Sequence, residues 1–172
     1  MRLEGASSHE TSSGAGETLD RPLPPSLGQR WVLLSLLAIM FLGAVLRFYG
    51  LGFQSLSEGE LASWDLSNKG TLPQVIEGVR GDIHPPLYFL MLRFAQWIFG
   101  DAEWALRLPS AIAGWLCIPA IYLLGRRLYS EREGLIAALF LAVFWAPVYY
   151  SQEARVYSML ILLSILTTYF WW

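Results

Sequence analysis

The chain has 172 residues, of which 55% are hydrophobic, 15% aromatic and 15% charged, with a formal net charge of −2. That apolar share is high and that charged share low for a soluble domain, and the apolar residues come in long runs, which points to a membrane protein. No basic tract marks a nucleic-acid partner, and a single cysteine, Cys117, excludes an intramolecular disulfide.

Residues 1–30 are rich in Ser, Gly, Glu and Pro and hold too few apolar side chains to bury. They are expected to be a disordered cytoplasmic tail, and not a signal peptide, because the first apolar run starts only after about thirty polar residues. That run, 31–46, is closed by Arg47-Phe48-Tyr49-Gly50. With Arg47 read as a snorkelling residue, it makes a first span near 31–50.

Residues 54–107 are polar and charged, with Glu58, Glu60 and Asp65, then His84-Pro85-Pro86, then Asp101 and Glu103. Ionised carboxylates are costly in hydrocarbon, so 51–106 reads as one long interfacial or aqueous loop. Within it, Ser57 is placed to cap a short helix over 58–68, with its acids in the first turn where the macrodipole favours them. Leu61, Trp64 and Leu66 would give that helix a side able to lie on the membrane surface. A second short segment covers 73–79. Residues 87–99 are apolar but short and are interrupted by Arg93 and Gln96, which fits an interfacial or re-entrant helix, opened by Pro86 and stopped by Gly100.

A second span is expected near 107–125, entered through Arg107, again read as snorkelling. Arg126, Arg127 and Arg132 follow closely, and by the positive-inside rule that short loop is cytoplasmic. Further spans near 134–150 and 156–172 return Ser151-Gln152-Glu153-Ala154-Arg155 to the side of the long loop. The expected fold is an all-α polytopic transmembrane helix bundle with juxtamembrane helices in a long first extracytoplasmic loop and a cytoplasmic N-terminus. The sequence stops inside an apolar run at Phe170-Trp171-Trp172, so it is read as the N-terminal part of a longer protein or a truncated product.

Two constellations carry candidate chemistry: Glu58, Glu60 and His84 in the long loop, and Glu153 with Arg155 at the mouth of the last span. Carboxylates and an arginine at a membrane surface suit transfer of a group carried on a lipid phosphate. A carboxylate takes the proton from an acceptor hydroxyl, while an arginine, a histidine or a carboxylate-held divalent metal stabilises the departing phosphate. Each residue also has a plainer reading: solvated loop acids, a turn before proline, a helix-end pair. A reading of a different class is a non-catalytic helical-bundle subunit or a carrier of a lipid-linked substrate. The ionisable residues cluster outside the spans rather than at mid-membrane, which favours surface chemistry.

The order of the motifs resembles a known family. Leu46-Arg47-Phe48-Tyr49-Gly50-Leu51-Gly52, Gln54-Ser55-Leu56-Ser57-Glu58-Gly59-Glu60 and His84-Pro85-Pro86-Leu87-Tyr88-Phe89 come first. Phe99-Gly100-Asp101-Ala102-Glu103-Trp104-Ala105-Leu106-Arg107-Leu108-Pro109-Ser110, Leu123-Leu124-Gly125-Arg126-Arg127-Leu128-Tyr129 and Tyr150-Ser151-Gln152-Glu153-Ala154-Arg155-Val156-Tyr157 follow. This looks like the N-terminal part of the C-superfamily membrane glycosyltransferases that use lipid-phosphate sugars, among them protein O-mannosyltransferases, lipid A aminoarabinose transferases and Rgt-type transferases.

The resemblance implies inverting transfer of a sugar from a polyprenyl-phosphate donor to a hydroxyl of a glycan, lipid or protein acceptor, at the outer face of a bacterial inner membrane. It implies a catalytic acid in the first loop, at Glu60 or Glu58. His84, Glu153 and Arg155 would bind donor phosphate or substrate. Metal use varies across the superfamily, so a divalent metal is left open and no other cofactor is implied. The family's first-loop motif reads Asp-Glu; here Gly59 stands at the Asp position, so Glu58 or Glu60 must substitute or activity is lost. Family members also continue through more helices, so the 172-residue polypeptide alone is expected to be inactive.

Overall fold

The structure is a computed structural model that describes residues 27–68, 71–80 and 86–172. Among these residues it is an all-α membrane helical bundle of eight helices: α1 (Leu27–Phe48), α2 (Glu58–Ser67), α3 (Leu72–Val79), α4 (Pro86–Phe99), α5 (Glu103–Leu128), α6 (Glu131–Val143), α7 (Trp145–Ser151) and α8 (Tyr157–Trp171). The expected tail lies outside the described residues up to residue 26, and α1 begins inside the stretch assigned to it.

Among the described residues two helices are long and apolar enough to cross a membrane, α1, from Gly28, and α5, and the bent pair α6–α7 makes a third if it is one span. At 1.5 Å per residue, the 22 residues of α1 rise about 33 Å, enough for the roughly 30 Å of hydrocarbon. Trp31, Leu33, Leu34, Leu37 and Phe41 on α1 are exposed, as are Ile136, Leu139 and Phe140 on α6; in water such a surface would be untenable, in lipid it is solvated. The 14 residues of α4 rise only about 21 Å, short of that thickness.

The central helix is α5, packed against α1, α4, α6, α7 and α8. Its crossing with α6 is close because both helices carry glycine there: a Cβ at Gly125 would lie 2.8 Å from the Gly134 Cα, and one at Gly134 would lie 2.7 Å from the Tyr122 carbonyl oxygen. Small residues let helix backbones approach where no hydrophobic force drives association. The turn into α5 uses Gly100 at φ +78°, which ends α4 in the left-handed region.

The span expected to be continuous over 134–150 is bent by 58° between α6 and α7. Phe144 is extended there, at φ −65° and ψ 137°. Pro147 follows and has no N–H for the Val143 carbonyl, so the helical ladder cannot run through. The break also leaves the Leu141 and Ala142 carbonyls without their helical donors, and Arg47 replaces them. Its guanidinium, fully buried, donates to Leu141 O at 2.7 Å and Ala142 O at 2.9 Å. The sequence reading had Arg47 reaching out to the interface; it turns inward because the bent helix offers it two open carbonyls.

The core beneath the loop helices joins Val75 and Val79 of α3, Tyr88, Phe89 and Leu92 of α4, Leu106 and Ala113 of α5, and Ala154, Val156 and Met159 around the start of α8. Trp64 and Leu66 of α2 pack on this cluster instead of facing the membrane surface, while Leu61 stays exposed.

Candidate active site

Ser57 caps α2 as expected. Its backbone N–H donates to Glu60 Oε2 at 2.9 Å and its hydroxyl accepts from the Glu60 N–H at 3.4 Å, a reciprocal capping box. This fixes the Glu60 side chain against the start of its own helix, facing the bundle. Arg107, one turn into α5, meets it there: Nε donates to Glu60 Oε1 at 2.8 Å and Nη2 to Oε2 at 3.0 Å, a bidentate pair. The remaining Arg107 donors go to the carbonyls of Leu51, Gln54 and Ser55 at 2.7, 2.9 and 3.2 Å. With 4% and 2% of their surfaces exposed, Arg107 and Glu60 form a buried knot that ties the chain after α1 to α2 and α5. Arg107 therefore does not snorkel.

Glu60 accepts one further bond, from the backbone N–H of Ala154 at 2.8 Å. Burial raises the pKa of this carboxyl, but the hydrogen bonds from Arg107, Ala154 and Ser57 and the Arg107 charge outweigh it and bring it down to about 2. Both oxygens are committed. A carboxylate so stabilised is a weak base, and its evident work is to hold the segment 152–155 beside α2.

That segment is tethered at three points. The Gln152 side-chain amide donates to the carbonyls of Leu46 and Tyr49 at the end of α1, at 2.9 and 3.1 Å. Ala154 is held by Glu60. The Arg155 carbonyl accepts from the Ser110 hydroxyl at 2.9 Å. Because Ser110 gives its only proton to that carbonyl, the Tyr88 hydroxyl 3.0 Å away is the donor to Ser110. The alternation leaves the side chains of Glu153 and Arg155 on the open side.

They line a cleft of about 320 Å³ together with Ser57, Gly59, Tyr149, Tyr150 and Tyr157. Arg155 Nη2 donates to the Tyr157 hydroxyl at 3.3 Å, and its Cζ lies 5.5 Å from the Tyr157 ring centroid. Among the described residues it makes no ion pair. Its other N–H donors have no acceptor among the described residues, whereas the buried arginines Arg47 and Arg107 are bound to carbonyls and a carboxylate. Paired aromatic rings flank the opening, with Trp145 and Tyr149 stacked at 5.3 Å and Tyr150 and Tyr157 tilted at 4.9 Å between centroids.

A family model described as dolichyl-phosphate-mannose-protein mannosyltransferase matches residues 83–172, more than half of the chain. The chain belongs to that family. It is a membrane glycosyltransferase of the mannosyltransferase type, as the order of motifs implied. No curated protein and no solved structure matches it.

In this mannosyltransferase-family chain, Glu153 and Arg155 lie within the matched segment and α2 precedes it. Of the site residues expected from sequence, the structure brings Glu60, Glu153 and Arg155 together around the 152–155 segment. Glu58 is exposed in the first turn of α2, and His84 lies outside the described residues. Sequence reasoning missed Gln152, Ser110 and Tyr88 as the residues that place the segment, although all three stand inside the quoted motifs. Among the described residues no three His, Cys, Asp or Glu side chains converge on one point, and the cleft wall contributes one carboxylate, Glu153. No donor set for a metal is therefore assigned.

Proposed function

We propose that the cleft between α2 and the 152–155 segment binds the phosphate of a polyprenyl-phosphate sugar, and that the sugar passes from it to an acceptor hydroxyl at the extracytoplasmic face. The observation that carries this reading is the Arg155 guanidinium, half-buried at the cleft with one protein hydrogen bond. Guanidinium recognises phosphate through paired donors, and a partly desolvated site strengthens the contact. In the transfer, Glu153 takes the proton of the acceptor hydroxyl as its oxygen attacks the anomeric carbon from the side opposite the phosphate. The bond from that carbon to the phosphate oxygen breaks, its electron pair leaves with the phosphate, and Arg155 stabilises the charge that develops. Glu58, next to the lining residues Ser57 and Gly59, is the second candidate for the base. Glu60 acts as a positioning residue through its bond to Ala154. The arginine-rich turn of Arg126, Arg127 and Arg132 supports a multi-pass protein with a cytoplasmic N-terminus and the cleft on the opposite side.

Binding separates this reading from a non-catalytic bundle. With the chain reconstituted in lipid nanodiscs, dolichyl-phosphate mannose is expected to bind, and Arg155→Ala to weaken it by about tenfold or more, equivalent to about 1.4 kcal/mol. Equal binding of dolichol without the phosphate, or no effect of Arg155→Ala, would sink the assignment.

A further inference from the structure

Gly59 and the guanidinium of Arg155 compete for one volume. A Cβ at position 59 would lie 2.0 Å from Arg155 Nη1 and 2.9 Å from Cζ, closer than non-bonded atoms approach. Both residues line the open cleft, and both also line a second cavity of about 60 Å³ that continues inward past Ala62, Ser63, Tyr88 and Phe89. The guanidinium is lodged between these two spaces, against the first turn of α2. No carboxylate among the described residues pairs with it there; the Tyr157 hydroxyl and ring are its polar neighbours. What sets its depth is therefore the shape of the seat, and the seat exists because position 59 has no side chain.

We propose that Gly59 is a positioning residue for the transfer: its missing side chain lets Arg155 sit drawn in against α2, with its free donors turned to the cleft. The proposal deepens the phosphate assignment and rests on it. A methyl at position 59 pushes the far end of a flexible side chain outward, where it is more hydrated and less fixed. Little fold stability is at stake, because the displaced atoms are the tip of one arginine.

Two measurements on the nanodisc-reconstituted chain test this. Phenylglyoxal labelling read by mass spectrometry should modify Arg155 slowly in the wild type and about fivefold faster in Gly59→Ala, with the exposed Arg132 as internal reference. Dolichyl-phosphate mannose should bind about fivefold more weakly to Gly59→Ala. On an Arg155→Ala background, Gly59→Ala should have no further effect. The unfolding midpoint of Gly59→Ala should stay within about 2 °C of wild type. Equal labelling of Arg155 in the two proteins overturns the seat, as does weaker binding of Gly59→Ala that persists without Arg155. If Arg155→Ala itself leaves binding unchanged, the phosphate assignment falls, and labelling alone still decides whether Gly59 seats the arginine.

Discussion

Arg107 and Arg155 sit on two sides of the same short stretch of chain, linked through one carboxylate, and their surroundings are opposite. Arg107 is buried, with its donors given to Glu60 and three backbone carbonyls. Arg155 is half open, with one long bond to a tyrosine hydroxyl. Glu60 joins the two regions, because the oxygen that accepts from Arg107 Nε also accepts from the Ala154 N–H. A saturated cation fixes backbone, and the backbone it fixes presents an unsaturated cation to the cleft. The same side chain is architecture in one place and a candidate ligand contact in the other, and the number of protein acceptors around it makes the difference.

The sharpest way to break this comparison is to remove the shared carboxylate. Glu60→Ala leaves the Arg107 guanidinium buried without its counter-charge, which costs about 3–5 kcal/mol where one partner of a buried pair is lost. Unfolding of the purified protein in detergent or nanodiscs should show a large drop in stability, and labelling of the 152–155 segment should rise because Ala154 loses its acceptor. A variant that unfolds like wild type would mean that the knot is not what holds α2 to α5.

Acid reaches the same knot without mutation. The Glu60 carboxyl has a folded-state pKa of about 2 against an ordinary 4.5. The unfolded chain therefore binds the proton more readily, and the stabilisation is fully present above about pH 4.5 and lost as pH falls towards 2. Its size is about 3 kcal/mol by the free energy of a pKa shift. Stability measured from pH 6 downward should fall in that window in the wild type. In Glu60→Gln the slope there should flatten; an unchanged slope would assign the acid sensitivity to other groups.

On the other side of the comparison the split reverses. Arg155→Ala should leave the unfolding midpoint within about 2 °C and weaken dolichyl-phosphate mannose binding by about tenfold or more. Glu153→Gln should keep binding within about threefold and remove transfer by about a hundredfold or more in any preparation that shows it, since a general base contributes on that order. A loss of stability in Arg155→Ala comparable to that in Glu60→Ala would erase the distinction between the two arginines.

The two regions were also unequally legible. The helices α1 and α5 follow from uninterrupted apolar runs, the α2 start from Ser57 three residues before Glu60, and the α4 end from Gly100, all local signals. Glu153 and Arg155, singled out because they stand at the mouth of a span, line the cleft. The knot was not legible. An arginine flanking an apolar run looks the same whether it snorkels or turns inward, and the acceptors that decide it for Arg107 lie some fifty residues away at Leu51, Gln54 and Ser55. Glu60 looked like one of two loop acids, and only its contact with Arg107 separates it from Glu58. The bend at Phe144 had a local cause in Pro147, but the apolar composition around it suggested a continuous span.

The smallest predicted effect probes the outer tether of the cleft. Tyr88, 1% exposed, donates to Ser110, which in turn donates to the Arg155 carbonyl. Burial raises the Tyr88 pKa, so the hydroxyl is a neutral donor throughout the ordinary pH range. Tyr88→Phe removes the donor but leaves the Ser110 proton free to keep its bond to the Arg155 carbonyl. The expected loss is that of one neutral hydrogen bond, about 1 kcal/mol of stability, with binding of dolichyl-phosphate mannose changed by less than about twofold. Ser110→Ala removes the bond to Arg155 itself and leaves that buried carbonyl without this donor, so it should weaken binding more than Tyr88→Phe does. If the two variants instead bind alike, the Arg155 backbone is held by the bonds at Gln152 and Ala154, and the tether through Ser110 contributes to packing and not to the placement of the guanidinium.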